Sequence, residues 1–440
     1  MNPLAQELNQ IIEKGNPHVL EMLSPVGHNL FFPKGILSQS AEARQKAHKF
    51  NATIGIATEK GGAMVLPAVC EYIGGLAPEQ SLTYAPSFGL PGLRAAWKDA
   101  LYRKNPGLAG KTVSLPVVSQ AITHGIALVG DMWLGSGDVV VMPDMFWGNY
   151  NLILSVRRGV RFSPFRLFDG NGGFDVAAFT ECVRKEAAAN DKVAVMLNFP
   201  NNPTGYTPTE AEADGITRAL LEVAEAGTNV VAMCDDAYFG LFYDEKCVKE
   251  SVFARLSGLH ERIVAIKLDG ATKEDFVWGL RVGFVTYGAK ISGDEAAVYE
   301  ALEKKTAGAV RGSISNASHL SQSIVLGAMQ NGAYERQRAE KRDILRARAR
   351  KVAEVLEDPK YKDAFEPYPF NSGYFMCLKL KDVESEPLRL HLLDRYGVGL
   401  ISLGTNDLRV AFSCLEEEDV RELFDIVLAG VEDLKGAKSG

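Results

Sequence analysis

From about residue 65 onward, short apolar runs recur at intervals, and stretches of helical character separate several of them. The runs are 113–118 (VSLPVV), 137–142 (GDVVVM), 193–198 (VAVMLN), 230–234 (VVAMC), 263–268 (IVAIKL) and 281–287 (RVGFVTY). A strand with one wet face alternates apolar and polar residues; these runs do not, so both faces must be buried. Helices predicted at 122–133 and 210–227 can supply the cover. The fold class that follows is α/β, with a largely parallel, mixed central sheet covered by helices. Pro116 lacks an N–H for a sheet ladder and weakens the first run.

A chain of 440 residues exceeds what one hydrophobic core usually serves, so more than one domain is expected. Residues 3–14 form an amphipathic helix ended by Gly15-Asn16-Pro17, and 17–64 are glycine-rich and irregular. The expected organisation is an N-terminal arm with a segment of a small domain (1–64), a large domain (65–330) and a small α+β domain (331–440). That last unit opens with a strongly charged helix over 333–357, whose apolar stripe is Ile344, Leu345, Val352 and Val355. Strands at 372–380 and 408–413 and a closing helix over 416–434 complete it.

The formal charge of −7 argues against a nucleic-acid surface. The opening residues lack the basic region and apolar run of a secretory signal. No apolar stretch is long enough to span a membrane. Six cysteines without a CxxC pair fit reduced thiols, and the expected location is cytoplasmic.

Several residues carry chemistry on their own terms. Lys273, in KLDGATKEDFVWGLRVGF, can condense with a carbonyl if its surroundings keep the amine partly neutral, and Arg281 follows eight residues later. Lys267 is the nearby competitor, but it falls inside an apparent strand. Asp235, in MCDDAYFGLF, ends a strand; with Asp236 it could also suggest a metal, but no histidine or third carboxylate stands at ligand spacing, so no metal is expected. Asn202 lies in the turn NFPNNPTG. SQAIT, residues 119–123, joins a strand to a helix, and a helix start offers free N–H groups to a phosphate. Arg409, in TNDLRVAF, carries the planar fork that suits a carboxylate.

Taken in order from Gly55 to Arg409, these motifs resemble the fold type I pyridoxal-phosphate enzymes, class I aminotransferases of the aspartate/aromatic type in particular. The resemblance implies pyridoxal 5'-phosphate as cofactor, with Lys273 its covalent anchor and acid–base group. It implies that Arg281, Ala121, Ile122 and Thr123 hold the cofactor phosphate. Asp235 would face the pyridine nitrogen, Asn202 and Tyr238 would bond the ring's phenolic oxygen, and Trp147 would stack on the ring, with Phe146 the alternate. Trp147, Asn149 and Tyr150 reproduce the aspartate-type pattern. Arg409 and the Gly55 backbone would receive the substrate α-carboxylate, with Trp147 and Asn202 beside it. Tyr84 would reach the phosphate, and Arg311 the distal carboxylate, of a partner's site, so a homodimer with shared sites is implied. Three departures stand out: Gly270 replaces the family's frequent phosphate-binding serine, Ala121 and Ile122 replace smaller residues, and Arg311 requires an insertion near 289–296.

The implied reaction is a ping-pong transfer of an amino group from an L-amino acid, aspartate/glutamate or aromatic, to a 2-oxo acid. A pyridoxal-phosphate lyase or decarboxylase on the same scaffold is the alternative, because the anchor, nitrogen-facing and carboxylate groups are common to both. A non-catalytic regulator would need a separate DNA-binding domain, for which the residues before 65 leave no room.

Overall fold

The computed structural model describes residues 1–32 and 35–438. Seven strands make its main sheet: β1 (Val117–Gln120), β2 (Val139–Pro143), β3 (Arg161–Phe165), β4 (Lys192–Asn198), β5 (Asn229–Asp235), β6 (Ile263–Gly270) and β7 (Val282–Ala289). Their spatial order is β1-β7-β6-β5-β4-β2-β3. Neighbours from β3 to β6 are parallel, and β7 runs antiparallel to both β6 and β1.

The uninterrupted apolar runs are explained by two cores, one on each face. Val141, Val193, Val195 and Ala232 point into one, against Phe179 and Val183 of α2 (Val176–Ala189) and Ile216 and Leu220 of α3 (Glu210–Glu225). Val140, Met142, Ala194 and Met233 point into the other, against Ile126 and Val129 of α1 (Ala121–Trp133). Each such valine, fully buried, contributes about 1.5–3 kcal/mol of transfer free energy.

Two details of the sheet depart from the sequence reading. The first strand starts only at Val117; before Pro116, residue Ser114 makes a single backbone bond, N to Tyr287 O, at 3.0 Å. The edge strand β3 was not anticipated, because RFSPF has no apolar run and its proline is tolerated only at an edge.

A second sheet of four antiparallel strands, β8 (Phe365–Pro367), β9 (Met376–Leu380), β10 (Ile401–Leu403) and β11 (Asp407–Val410), has the order β8-β9-β11-β10. It packs on α4 (Tyr334–Leu356) and α5 (Val420–Lys438) through Leu345, Val352, Val355, Leu423 and Val427. The predicted strand at 372–380 begins only at Met376, and the closing helix begins at Val420 after a single 3-10 turn. Residues 17–64 are less irregular than expected. An 11-residue helix, Ile36–Lys46, lies there, and Phe50–Asn51 pairs in parallel with Val398–Gly399. Among its described side chains, that helix buries Ser40 and Ala43, both small.

Candidate active site

Ligands of open α/β sheets bind outside the carboxyl ends of the strands. Here β4, β5 and β6 end at Asn198, Asp235 and Gly270, and a cavity of about 280 Å³ opens beside them.

Lys273 sits in the short helical turn Ala271–Glu274 that follows β6. Its Nζ donates to the Gly55 carbonyl at 2.7 Å and lies 5.1 Å from the centroid of the Tyr238 ring. The Tyr374 hydroxyl donates to the Lys273 carbonyl at 2.9 Å, which fixes the turn. Burial, then the charges of Arg281 and Arg409, bring the amine down to about 7. The close approach of Gly55 has a steric basis: a Cβ there would stand 3.1 Å from Nζ. Lys267 is buried inside β6 and paired with Asp236 and, at 3.5 Å, with Asp269; it does not line the cavity.

Asp235 is the last residue of β5. The Tyr150 hydroxyl donates to its Oδ2 at 2.5 Å, and the Ala237 N–H to Oδ1 at 3.2 Å. Burial raises this carboxyl to about 6, against the pull of the Tyr150 bond. Asp236 turns the other way, where Ser251 donates to it at 2.6 Å. The two adjacent carboxylates therefore do not converge on one point.

Asn202 lies in the turn after β4, held by its N–H on Asn198 Oδ1 at 2.9 Å. Its own Oδ1 accepts from Arg409 Nη1 at 3.1 Å, and Arg409 Nη2 donates to the Thr53 carbonyl at 2.9 Å. Arg409 is 1% exposed, its guanidinium lies 4.1 Å from the Phe375 ring centroid, and its Nε has no acceptor. Burial lowers its pKa, yet a guanidinium stays charged. A buried fork with an open donor that lines the cavity is suited to a carboxylate. Tyr238 is buried edge-on between Tyr374 and Phe375, and burial pushes its phenol up.

At the other end of the cavity stand Ala121, Ile122 and Thr123, the first residues of α1, with Arg281 and Thr272. The free N–H groups of a 13-residue helix, two hydroxyls and a guanidinium can hold a phosphate-sized dianion. Gly270 cannot be a serine in this backbone, because a Cβ would come within 2.6 Å of the Val282 carbonyl. Trp147, half-buried, lines the cavity and meets Tyr150 edge-on at 5.4 Å. Phe146 packs instead on Tyr150 and Phe162.

Eleven of the thirteen residues singled out in the sequence thus surround one cavity. Tyr84 and Arg311 do not. Tyr84 is 90% exposed, and Arg311 donates to Ser315 at 3.1 Å on the surface of its own chain. Ile36 and Phe375 line the cavity without having been anticipated; each is a lone apolar residue whose place depends on the second sheet and the segment before it.

The fold and the cavity define an α/β protein that holds a buried amine, Lys273, between a helix start with Arg281 on one side and the buried guanidinium of Arg409 on the other. The sequence profile described as aminotransferase class I and II matches residues 48–427, and the chain belongs to that family. An aspartate aminotransferase of Bacillus sp. strain YM-2 is 27% identical over 210 residues, 47% of this chain and 49% of its own length. That alignment therefore spans about half of the relative. A probable N-acetyl-LL-diaminopimelate aminotransferase of Bacillus subtilis strain 168 is 25% identical over 347 residues, 76% of this chain and 78% of that one. The crystal structure of an aminotransferase from Anaerococcus prevotii shares the fold, with a TM-score of 0.82 at 22% identity over 93% of this chain and 98% of the other.

Proposed function

We propose that the protein is a pyridoxal-phosphate-dependent aminotransferase that moves an amino group from an L-amino acid to a 2-oxo acid in a ping-pong cycle. The observation that carries this reading is the buried Lys273 amine, brought to about 7, in one cavity with Asp235, Arg281 and Arg409. The donor set fits the cofactor: a dianion cradle at one end, an acid at the other, and an amine between them.

Pyridoxal phosphate bound there supplies an aldehyde for amine exchange and a conjugated ring that accepts electron density. Arg281, Thr123, Thr272 and the start of α1 would hold its phosphate. Asp235 would keep a proton on the ring nitrogen, with Tyr150 fixing the carboxylate. Asn202 and Tyr238 would face the phenolic oxygen, and Trp147 the ring. Arg409, pre-oriented by Asn202 and Thr53, receives the substrate α-carboxylate. Lys273, near neutrality, would take the proton from the substrate Cα and deliver it on the far side of the substrate nitrogen.

Among the described residues, the cations lining the cavity within one chain are Lys273, Arg281 and Arg409. Specificity for a second carboxylate therefore calls on Arg311 from a partner, and with it Tyr84, in a homodimer. Aspartate or glutamate, with aromatic amino acids admitted beside Trp147, is the substrate class proposed. The free cysteines agree with a cytoplasmic enzyme, and no helix among the described residues is long and apolar enough to cross a membrane.

The test is to add single amino acids to the loaded enzyme. Stoichiometric conversion of the cofactor to its amine form, reversed by a 2-oxo acid, supports transamination. Continuous release of 2-oxo acid without an acceptor overturns it in favour of the lyase.

A further inference from the structure

A second cavity, of about 650 Å³, lies on the far side of the Lys273 turn. Its floor is apolar: Phe239, Leu241, Phe242 and Phe276 are all buried there. One wall is a face of α4, where Arg338, Arg342 and Arg346 recur every four residues. Arg103 and Lys104 close one side and Lys249 another.

The charges on this lining do not balance. Six cations face three carboxylates, Glu245, Glu274 and Glu335. Two of the three are already committed: Glu274 pairs with Lys104 at 2.7 Å and with Arg338, and Glu335 pairs with Arg338 at 2.9 Å. The Arg342 side chain forms no hydrogen bond or ion pair among the described residues, and its Nε is buried without an acceptor. Arg346 has one carboxylate, Asp343 on its own helix at 3.2 Å, and its Nε is likewise buried and unsatisfied. Among the described residues, the Lys249 amine donates to the Asp244 carbonyl and to Cys247 Sγ and pairs with no carboxylate. Like charges four apart on a helix repel, and buried guanidinium donors without acceptors are unfavourable. An anion seated between Arg342 and Arg346 relieves both, and the phenylalanine floor favours one with an apolar body.

We propose that this groove binds a small organic dianion, whose oxyanion group is gripped by Arg342 and Arg346 and whose apolar body rests on Phe239 and Phe242. The site is separate from the active-site cavity: the two linings share none of the described residues, and they adjoin at Tyr238–Phe239 and at Lys273–Glu274.

Calorimetric titration of the full chain, loaded with pyridoxal phosphate, with phenyl phosphate tests the site. Saturable binding, tighter than that of inorganic phosphate, is expected. Arg342→Gln with Arg346→Gln should weaken it at least about tenfold. Glutamine keeps the helix, and matching thermal melts verify it. Lys249→Gln, exposed on the other wall, should weaken binding to a lesser degree and serves if the double variant fails to fold. Arg350→Gln, exposed on α4 and outside the groove, should leave it unchanged. The proposal is overturned if wild type does not bind, or if Arg350→Gln costs as much as the double variant. It also fails if Arg409→Leu abolishes binding while the Arg342/Arg346 variant retains it.

Discussion

The backbone N–H of Ala121 donates to the carbonyl of Arg281 at 3.0 Å, and both residues hold a positive φ, 60° and 55°. Neither is glycine, and each such conformation costs on the order of 1–2 kcal/mol. This pair joins the start of α1 to the start of β7 and so shapes the anion cradle. Gly283 makes the approach possible, because a Cβ there would lie 2.6 Å from the Ala121 carbonyl carbon. Gly283→Ala should therefore destabilise the protein by about 1–3 kcal/mol. It should also weaken retention of pyridoxal phosphate. Chemical denaturation and cofactor dialysis measure the two effects, and an unchanged cofactor affinity counts against the cradle.

The Lys273 amine, brought to about 7, gives a second expectation. The unfolded chain holds this proton to about pH 10.4. Between those values the folded state binds fewer protons, so stability of the cofactor-free protein rises with pH across that window and the penalty for charging the amine is fully present below it. Capture of pyridoxal phosphate by the cofactor-free protein should accelerate through about pH 7 and then level off. Borohydride reduction should place the cofactor on the Lys273 peptide, and Lys273→Ala should abolish turnover. Label on another lysine sinks the assignment.

Asp235 tests the electron-withdrawing role. Asp235→Asn should leave much of the cofactor bound and lower kcat by about a hundredfold or more. Tyr150→Phe removes the O–H that favours the ionised carboxylate, whose pKa stands at about 6. The acid limb of the kcat/KM profile should then move to higher pH. Near-normal turnover in Asp235→Asn would exclude it from the chemistry.

Arg311 and Tyr84 test the shared site. Light scattering should show a dimer, and an active monomer would remove both residues from the site. Arg311→Leu should lower kcat/KM for aspartate at least about tenfold, roughly 1.4 kcal/mol of transition-state binding, and affect phenylalanine much less. Equal loss for both substrates would assign Arg311 to the interface or the cofactor.

The buried pairs behind the anchor are a stability test. Arg338 contacts Glu274 and lies 3.0 Å from Asp275, and both carboxylates are nearly inaccessible. Arg338→Met strands charge in a buried setting and should cost about 3–5 kcal/mol in a denaturant melt.

Elements whose chemistry is local were legible in the residues alone. Runs such as VAVMLN and VVAMC admit no wet face, so a two-sided sheet was readable from them. The spacing from Lys273 to Arg281, and the turn carrying Asn202, mark residues whose backbone neighbours already place them at strand ends. What depended on contacts between distant segments was not readable. The strand β3 has no apolar run of its own, and among its described side chains the helix Ile36–Lys46 buries only Ser40 and Ala43, because each element is stabilised by what packs on it. The same holds at the site. Tyr150 could be matched to a motif, but its bond to Asp235 spans 85 positions, and Arg409 meets Asn202 across 207. Phe375 had no signal, since its role is to present a ring face to Arg409. That Lys273 is buried with Arg281 and Arg409 follows from the folded chain and not from their spacing. Their charges and the loss of water bring its amine toward neutrality, and that energy arises from burial and proximity, which a linear spacing does not contain.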